Sequence, residues 1–329
     1  MRTTFDLPPL TRTTLAVLAL SLPAPLALAQ AAFPTKPVTL IVPYPAGGSI
    51  DVISRAVAQR LTEQWGKNII IDNRAGASGM IGTEIAAKAP PDGHTLLGHT
   101  SSYPATAAVR LKLPFDPARA IVPVAMFGKA PMLMAIHPSV PAKNVKELIE
   151  IAKKTPGKLT YGSSGAGGNN HFSGGLFAAA AGVQMVHVPY KGIAPAVTAL
   201  ASGEIEIVIA SSAALQGQIK GNRVRVLGVT SLEPSPLFPD LPPIAKSGAP
   251  GYQYELWWGM FAPAGMTAER LAFINAAVNK ALASAELKKF IAAEGAEPWP
   301  LSPQQLDGLL VREIDRYKKA AQVAGIEPQ

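Results

Sequence analysis

Three times along this chain a short apolar run gives way to a glycine-rich stretch and then to residues at helical spacing. That order restricts the fold more than any other feature. Residues 38–42 (V-T-L-I-V) lead into V-P-Y-P-A-G-G-S-I-D at 42–51, after which Ile50, Ile53, Val57 and Leu61 recur to about Trp65. A short β-branched apolar run predicts a buried strand, and a 3.6-residue apolar period predicts a helix laid against it. The second round is a strand at 68–72, the glycine loop 73–79 and a helix through Ala89. A turn at 90–93 and a third strand at 94–99 follow. The third round starts at 158–161 and runs through G-S-S-G-A-G-G-N-N-H at 162–171. Strand, loop, helix, strand is the rhythm of an α/β protein with a mostly parallel sheet.

Between the second and third rounds, residues 122–136 are nearly continuous apolar chain broken at 128–131. This predicts a long strand with a kink, crossing between two parts of the molecule. Further strands are expected at 184–189, 204–210, 223–229 and 257–263, and helices at 143–154, 267–283 and 303–323. The proline-rich stretch 234–250 reads as a surface connection. In open α/β sheets ligands sit beyond the carboxyl ends of the strands, where the glycine loops lie. Two facing units would therefore enclose a cleft.

The N-terminus reads as an export signal rather than a buried helix. Arg2 and Arg12 precede an apolar run over 15–28 that ends in Ala27-Leu28-Ala29. The run is shorter than the roughly 20 residues a membrane span needs, and Pro23 and Pro25 interrupt it. Without a twin-arginine pair, the general secretory route and cleavage near Ala29 are expected, and no later segment reads as a span. The chain has no cysteine, which excludes disulfides, thiol nucleophiles, thiolate metal sites and a lipid-anchoring N-terminal Cys. Its net charge of +8 falls to +7 once Arg2, Arg12 and Asp6 are removed. That suits an anionic ligand, and the spread of Lys and Arg without a block argues against nucleic acid.

None of the glycine loops completes an enzyme motif. The Gly-Lys pairs at 66, 128 and 157 lack the following Ser or Thr of a phosphate loop. The dinucleotide pattern fails at Asn170, and the nucleophile elbow fails at 76–80 and again at 162–166. The five histidines, at 94, 99, 137, 171 and 187, form no metal-binding spacing, and a structural role is expected for each except His171, beside the polar third loop. What the loops share is donor chemistry: Gly47, Gly48, Ser49, Ser78, Gly79, Ser163 and Ser164 offer N–H or hydroxyl groups near helix N-termini. One such loop can be a plain turn. Three in both halves point to an anion site, with Asp51 capping its helix rather than meeting the anion.

Taken together, V-P-Y-P-A-G-G-S-I-D, D-N-R-A-G-A-S-G-M-I-G (72–82), A-P-P-D-G-H-T-L-L (89–97), P-G-K-L-T-Y-G-S-S-G (156–165), H-V-P-Y-K-G-I-A-P-A (187–196) and F-A-P-A-G-M-T (261–267) resemble the Bug-type (TctC-like) solute-binding proteins of tripartite tricarboxylate transporters. The resemblance covers the whole chain after the signal. It implies a periplasmic binding protein of type II fold, α/β, with a ligand cleft between two lobes joined by two crossing strands. Residues 30–127 with 255–329 would form the first lobe and 128–254 the second. It further implies a monomer that holds a small organic carboxylate and delivers it to membrane permease subunits, with no cofactor, metal or catalytic residue.

By motif, the ligand-binding residues would be Tyr44, Gly47, Gly48, Ser49, Ala77, Ser78, Gly79, Ser163, Asn169 and His171, with Thr100 and Ser101 added at the end of the third strand. The chain departs from the family's usual pattern at Gly168, where Ser or Thr is common, at Ala199, where Asp is usual, and at Lys246, where Glu is usual. Two other readings of the same residues are an exported serine hydrolase using Ser78 or Ser164 with a histidine, and a sensor subunit presenting the ligand-bound form to a signalling partner.

Overall fold

The computed structural model describes residues 1–4 and 33–328. The expected export signal therefore falls almost wholly outside the described residues. Met1–Phe33 and Pro34–Gln329 are separate units, and the fold below is that of the second.

Strands β1 (Val38–Val42), β2 (Ile69–Asn73) and β3 (Thr95–Thr100) lie parallel, with β1 in the middle. Val38, Leu40 and Val42 are wholly buried, as an interior strand covered on both faces requires. Helix α1 (Ser49–Trp65) follows the first glycine loop and buries Ile50, Ile53, Val57 and Leu61. After the second loop comes α2 (Met80–Ala87), and α3 (Ser102–Val109) starts directly beyond β3. The expectation for this region missed α3. S-S-Y-P has the composition of a turn, yet Pro104 sits in the first helical turn, where its missing N–H has no intrahelical partner to lose.

The chain changes sheets at one residue. Strand β4 (Ile121–Pro131) belongs to the first sheet and β5 (Leu133–Ile136) to the second, leaving only Met132 between them. The break expected at 128–131 is thus displaced. Gly128 is no kink. A Cβ there would fall 2.8 Å from the Glu297 carbonyl oxygen, so the glycine allows a neighbouring strand to approach.

The second sheet is assembled from β5, β6 (Thr160–Ser163), β7 (Val186–Pro189), β8 (Ile207–Ala210) and β9 (Arg225–Val229), in the order β7-β6-β8-β5-β9. Strand β5 lies between β8 and β9, antiparallel to both and buried throughout. Its helices are α4 (Val145–Lys154), α5 (Asn169–Ala181), α6 (Ile193–Ser202) and α7 (Ser212–Lys220). The following connection is less superficial than its proline content suggests: Ile244 is wholly buried and Pro243 bridges Val229.

Strand β10 (Glu255–Pro263) returns to the first sheet between β3 and β4, nearly all of it buried. Helices α8 (Ala268–Leu282) and α9 (Ala285–Ala293) and the two-residue β11 (Glu297–Pro298) follow. The helix expected at 303–323 is two helices, α10 (Pro303–Leu306) and α11 (Leu309–Ala324), separated where Gly308 takes a positive φ of 64°. Helix α9 was not anticipated.

The two passages between the sheets are laced together by one side chain. Thr230, wholly buried, accepts the Met132 N–H at its hydroxyl (2.7 Å) and donates that hydroxyl to the Tyr254 carbonyl (2.6 Å). Its backbone bonds the same two residues, with Thr230 N–H to Met132 O at 2.9 Å and Tyr254 N–H to Thr230 O at 3.0 Å. Thr230→Val keeps the shape and removes the hydroxyl, orphaning a buried donor and a buried acceptor. A loss of about 1–3 kcal/mol is expected, read as a lower urea midpoint, with Thr230→Ser retaining most of it. Equal midpoints for Val and wild type would show that the hydroxyl bridge carries no stability.

Candidate functional site

The glycine loops of the two sheets meet. A Cβ on Gly165 would lie 3.4 Å from Ser78 Oγ, and Thr106 donates to the Gly167 carbonyl at 3.3 Å. Where α3 and α5 begin, Ser101 Oγ donates to Asn169 Oδ1 at 3.1 Å and the Asn169 N–H reaches Ser102 Oγ at 3.4 Å. The start of α1 joins them because Trp258, paired with Thr100 in the sheet, donates its indole N–H to Ser49 Oγ at 3.0 Å. Three helix N-termini therefore come together, each with first-turn amides that have no intrahelical partner.

In the first loop the Gly47 amide is committed, donating to Asp51 Oδ2 at 2.9 Å. Asp51 also accepts from Arg55 and from Asn73 Nδ2. These partners outweigh desolvation and hold its carboxyl below the usual range. The acid thus stabilises the helix start, and Gly48, the N-cap, has no side-chain cap of its own. The amides left open at this end are those of Gly48 and Ser49.

The second loop is a left-handed turn. Gly76, Ala77, Ser78 and Gly79 have φ of 141°, 47°, 55° and 93°, and the Gly79 N–H closes on Gly76 O at 2.9 Å. Non-glycine residues at positive φ cost of order 1–3 kcal/mol each and cluster at functional sites. The Tyr44 hydroxyl holds this turn, donating to Ser78 O at 3.4 Å. Burial pushes the Tyr44 phenol up to about 12, against the opposing pull of the Ser102 and Thr100 hydroxyls.

His99 stands beneath the turn. Its Nδ1 accepts the Thr100 N–H at 2.8 Å and lies 3.2 Å from the Thr100 carbonyl oxygen. Its Nε2 is buried without a hydrogen-bond partner, edge-on to Tyr44 and against Gly79. Desolvation draws this imidazole down to about 3. Gly79 has no room for a side chain, since a Cβ would fall 2.7 Å from His99 Nε2.

On the second sheet, Ser163 and Asn169 are engaged within the protein. Ser163 Oγ accepts the Gly165 N–H at 3.1 Å and lies 2.6 Å from His187 Nε2. Asn169 Oδ1 accepts both Ser101 and, at 2.8 Å, the Tyr254 hydroxyl, which in turn meets Tyr317 at 2.9 Å. His171 accepts the Gly167 N–H at Nδ1 (3.1 Å) and stacks on His187. Burial pulls both rings down to about 4, His187 also through the charge on His171.

Sequence reasoning missed His99 and His187 as members of this neighbourhood. His187 was findable only through the pairing of β6 with β7, which sets Tyr161 beside it.

All of these side chains are neutral near pH 7, apart from the ion pair of Asp51 and Arg55. The serines named for a hydrolase, Ser78 and Ser164, have no hydrogen bond to a histidine. Ser163 does, but it is fully buried with its oxygen already shared with Gly165. Among the described residues no group of three or more His, Asp or Glu is placed to hold a metal ion. A separate open hollow of about 280 Å³ lies at the start of β10, lined by Gln253, Glu255, Trp257, Trp299, Glu313 and Arg316. There the Trp257 indole and the Arg316 guanidinium both bond Glu313.

Two outcomes follow from this geometry. Gly79→Ala combines a forbidden φ with a contact on His99 and is expected to cost about 1–3 kcal/mol, measured by chemical denaturation, while Ala77→Gly relieves strain and is expected to stabilise. The second concerns acid. The native state keeps His99 neutral down to about 3, whereas the unfolded chain takes up a proton near 6.5. Stability is therefore complete above about 6.5 and falls between 6.5 and 3, by at most about 1.4 kcal/mol per pH unit from this group. His99→Asn, whose Oδ1 can still accept from Thr100, is expected to flatten the fall in melting temperature over that window. An unchanged slope would assign the acid sensitivity elsewhere.

The chain matches the family described as "Tripartite tricarboxylate transporter family receptor" over residues 53–326. It is 32% identical to the protein BugT of Bordetella pertussis over 295 residues, 89% of this chain and 90% of that protein. It is similar to an R. palustris structure with adipate, at TM-score 0.85 and 36% identity, covering 90% of this chain and 100% of that one. It is also similar to the periplasmic binding protein BugD, at TM-score 0.82 and 28% identity, covering 90% of this chain and 100% of that one. With matching sequence along most of its length and the same two-sheet α/β binding-protein fold, the chain belongs to the tripartite tricarboxylate transporter receptor family.

Proposed function

We propose that this protein is an extracytoplasmic receptor that captures a small organic carboxylate between two lobes and releases it unchanged to a membrane permease. The observation that carries the reading is the convergence of three helix N-termini and a left-handed turn, drawn from both sheets, on one neutral surface of N–H and O–H donors. Oriented backbone dipoles of this kind favour an anion without a fixed counter-charge. Weak, numerous donors also permit release, which a buried lysine or arginine partner would oppose.

The relative solved with adipate supports a dicarboxylate as the ligand class. In this reading the first lobe runs to Pro131 rather than to 127, because β4 stays in the first sheet that far, and takes in 255–329; the second lobe follows to 254, and the paired passages at Met132 and Thr230 are the hinge. Tyr44, Gly48, Ser49 and the Ala77–Gly79 turn grip one carboxylate, and the loop before α5 meets the rest of the molecule. Closure follows from tighter binding to the closed form than to the open one. The mature receptor works as a monomer in the periplasm after loss of residues 1–29, and it carries out no catalysis.

Calorimetric titration with adipate, malate, citrate and terephthalate tests this. At least one is expected to bind with Kd below about 10 μM, roughly −7 kcal/mol, with the ligand recovered chemically intact. If the whole panel fails to bind, carboxylate capture is wrong.

A further inference from the structure

The loop joining β6 to α5 is held at both ends by imidazoles. At its start Ser163 Oγ lies 2.6 Å from His187 Nε2, and near its end the Gly167 N–H donates to His171 Nδ1 at 3.1 Å. The two rings lie face to face, with centroids 3.7 Å apart and planes within 9°. Tyr161 flanks them, 5.1 Å from His187 and 6.3 Å from His171. Helix α5 comes this close because Gly174, one turn beyond His171, faces the Tyr161 ring, and a Cβ there would fall 2.3 Å from it.

The titratable groups facing the stack are Tyr161 from β6, His187 from β7 and His171 from α5. From α3, neutral Thr106 and Val109 pack on Gly167. Among the described residues no carboxylate bonds or ion-pairs with either ring, so nothing there welcomes a cation.

We propose that His171 and His187 are positioning residues forming a proton-sensitive clasp: neutral, they hold the 163–168 loop against the Ala77–Gly79 turn, and one proton opens it. An imidazolium has no acceptor, so protonating His171 turns Nδ1 from a partner of the Gly167 N–H into a competing donor. The charge would also lie 3.7 Å from a second ring, which then resists a proton of its own. Burial favours the neutral pair, so the clasp is fully closed above about 6.5, the ordinary imidazole value. Opening grows as pH falls from there and is complete below about 4. The importance of this loop for ligand capture rests on the receptor reading above, whereas the clasp itself does not.

The test therefore uses the protein without added carboxylate, following the Gly167 amide by ¹H–¹⁵N correlation spectra and hydrogen exchange. In the wild type that resonance is expected to titrate with a midpoint between the free imidazole value and about 4. His171→Asn places Oδ1 near the position of Nδ1 and cannot take up a proton, so the amide should keep its pH 7 protection and lose the titration. His171→Phe keeps the stacking face without an acceptor, so exchange at pH 7 should be about tenfold faster, the equivalent of one hydrogen bond. The Asn and Phe variants are compared at pH 7, so global unfolding in acid does not mask the outcome. Unchanged exchange in His171→Phe, or a titration that persists in His171→Asn, overturns the clasp. A carboxylate panel that fails to bind would instead sink the receptor reading and leave this result intact.

Discussion

The two passages between the sheets are tied through the hydroxyl of Thr230. The chain passes from the first sheet to the second at Met132 and returns at Tyr254, and Thr230 bonds both passages through its side chain and its backbone. Each sheet closes a core of its own, so their relation rests on this junction and on α11, which packs its Tyr317 on Phe172 of α5. The junction also reaches the site. Tyr254, whose carbonyl accepts Thr230, sends its phenol to Asn169 at the start of α5, and Asn169 takes Ser101 from the end of β3. Hinge and cleft are thus three hydrogen bonds apart through buried groups, and a change of angle at one is a change of geometry at the other.

The chain's positive balance is not spent inside the site. Among the described residues, Arg55 serves Asp51 and Asn73 with its guanidinium, and Arg74 of the second loop turns its own to Asp72. Excess charge on the outer surface raises the local concentration of an anion and its rate of arrival. The strength of holding is then set by amides and hydroxyls, whose protonation is fixed by burial: Tyr44 pushed up to about 12, His99 drawn to about 3. Attraction at a distance and grip at contact are in this way assigned to different residues.

Much of the fold was legible in the sequence because its strongest signals are local. The apolar run at Val38–Val42 and the period of Ile50, Ile53, Val57 and Leu61 gave β1 and α1 at almost their observed ends. What was illegible depends on partners distant in the chain. Gly128 looked like a break and also serves a close approach by β11, while Gly174 lets α5 rest on Tyr161. The same holds for the candidate site. The glycines and serines announced a donor-rich surface and Asp51 a helix cap, yet nothing local could show that His187 lies beside Ser163. Helix α3 was missed because the composition of Ser101-Ser102-Tyr103-Pro104 favours a turn, whereas Tyr103 is wholly buried and packed on Phe261.

The left-handed turn is the feature least expected from propensity and the most telling about the division of labour between the two loops. Ala77 and Ser78 sit at positive φ although glycine flanks them on both sides. A conformation that costs of order 1–3 kcal/mol per residue persists only where its surroundings over-determine it. Here those surroundings are Tyr44 on the Ser78 carbonyl, Thr83 on the Gly79 carbonyl at 2.8 Å, and His99 filling the space under Gly79. This loop is therefore fixed before any ligand arrives, and binding need not order it. The loop of the second sheet has a different support, resting on two imidazoles whose hydrogen bonding changes with a single proton. One side of the site is rigid by strain and packing, while the other is rigid only while its histidines stay neutral. In the receptor reading proposed above, that asymmetry assigns recognition of the common carboxylate to the first sheet and adjustment to the second.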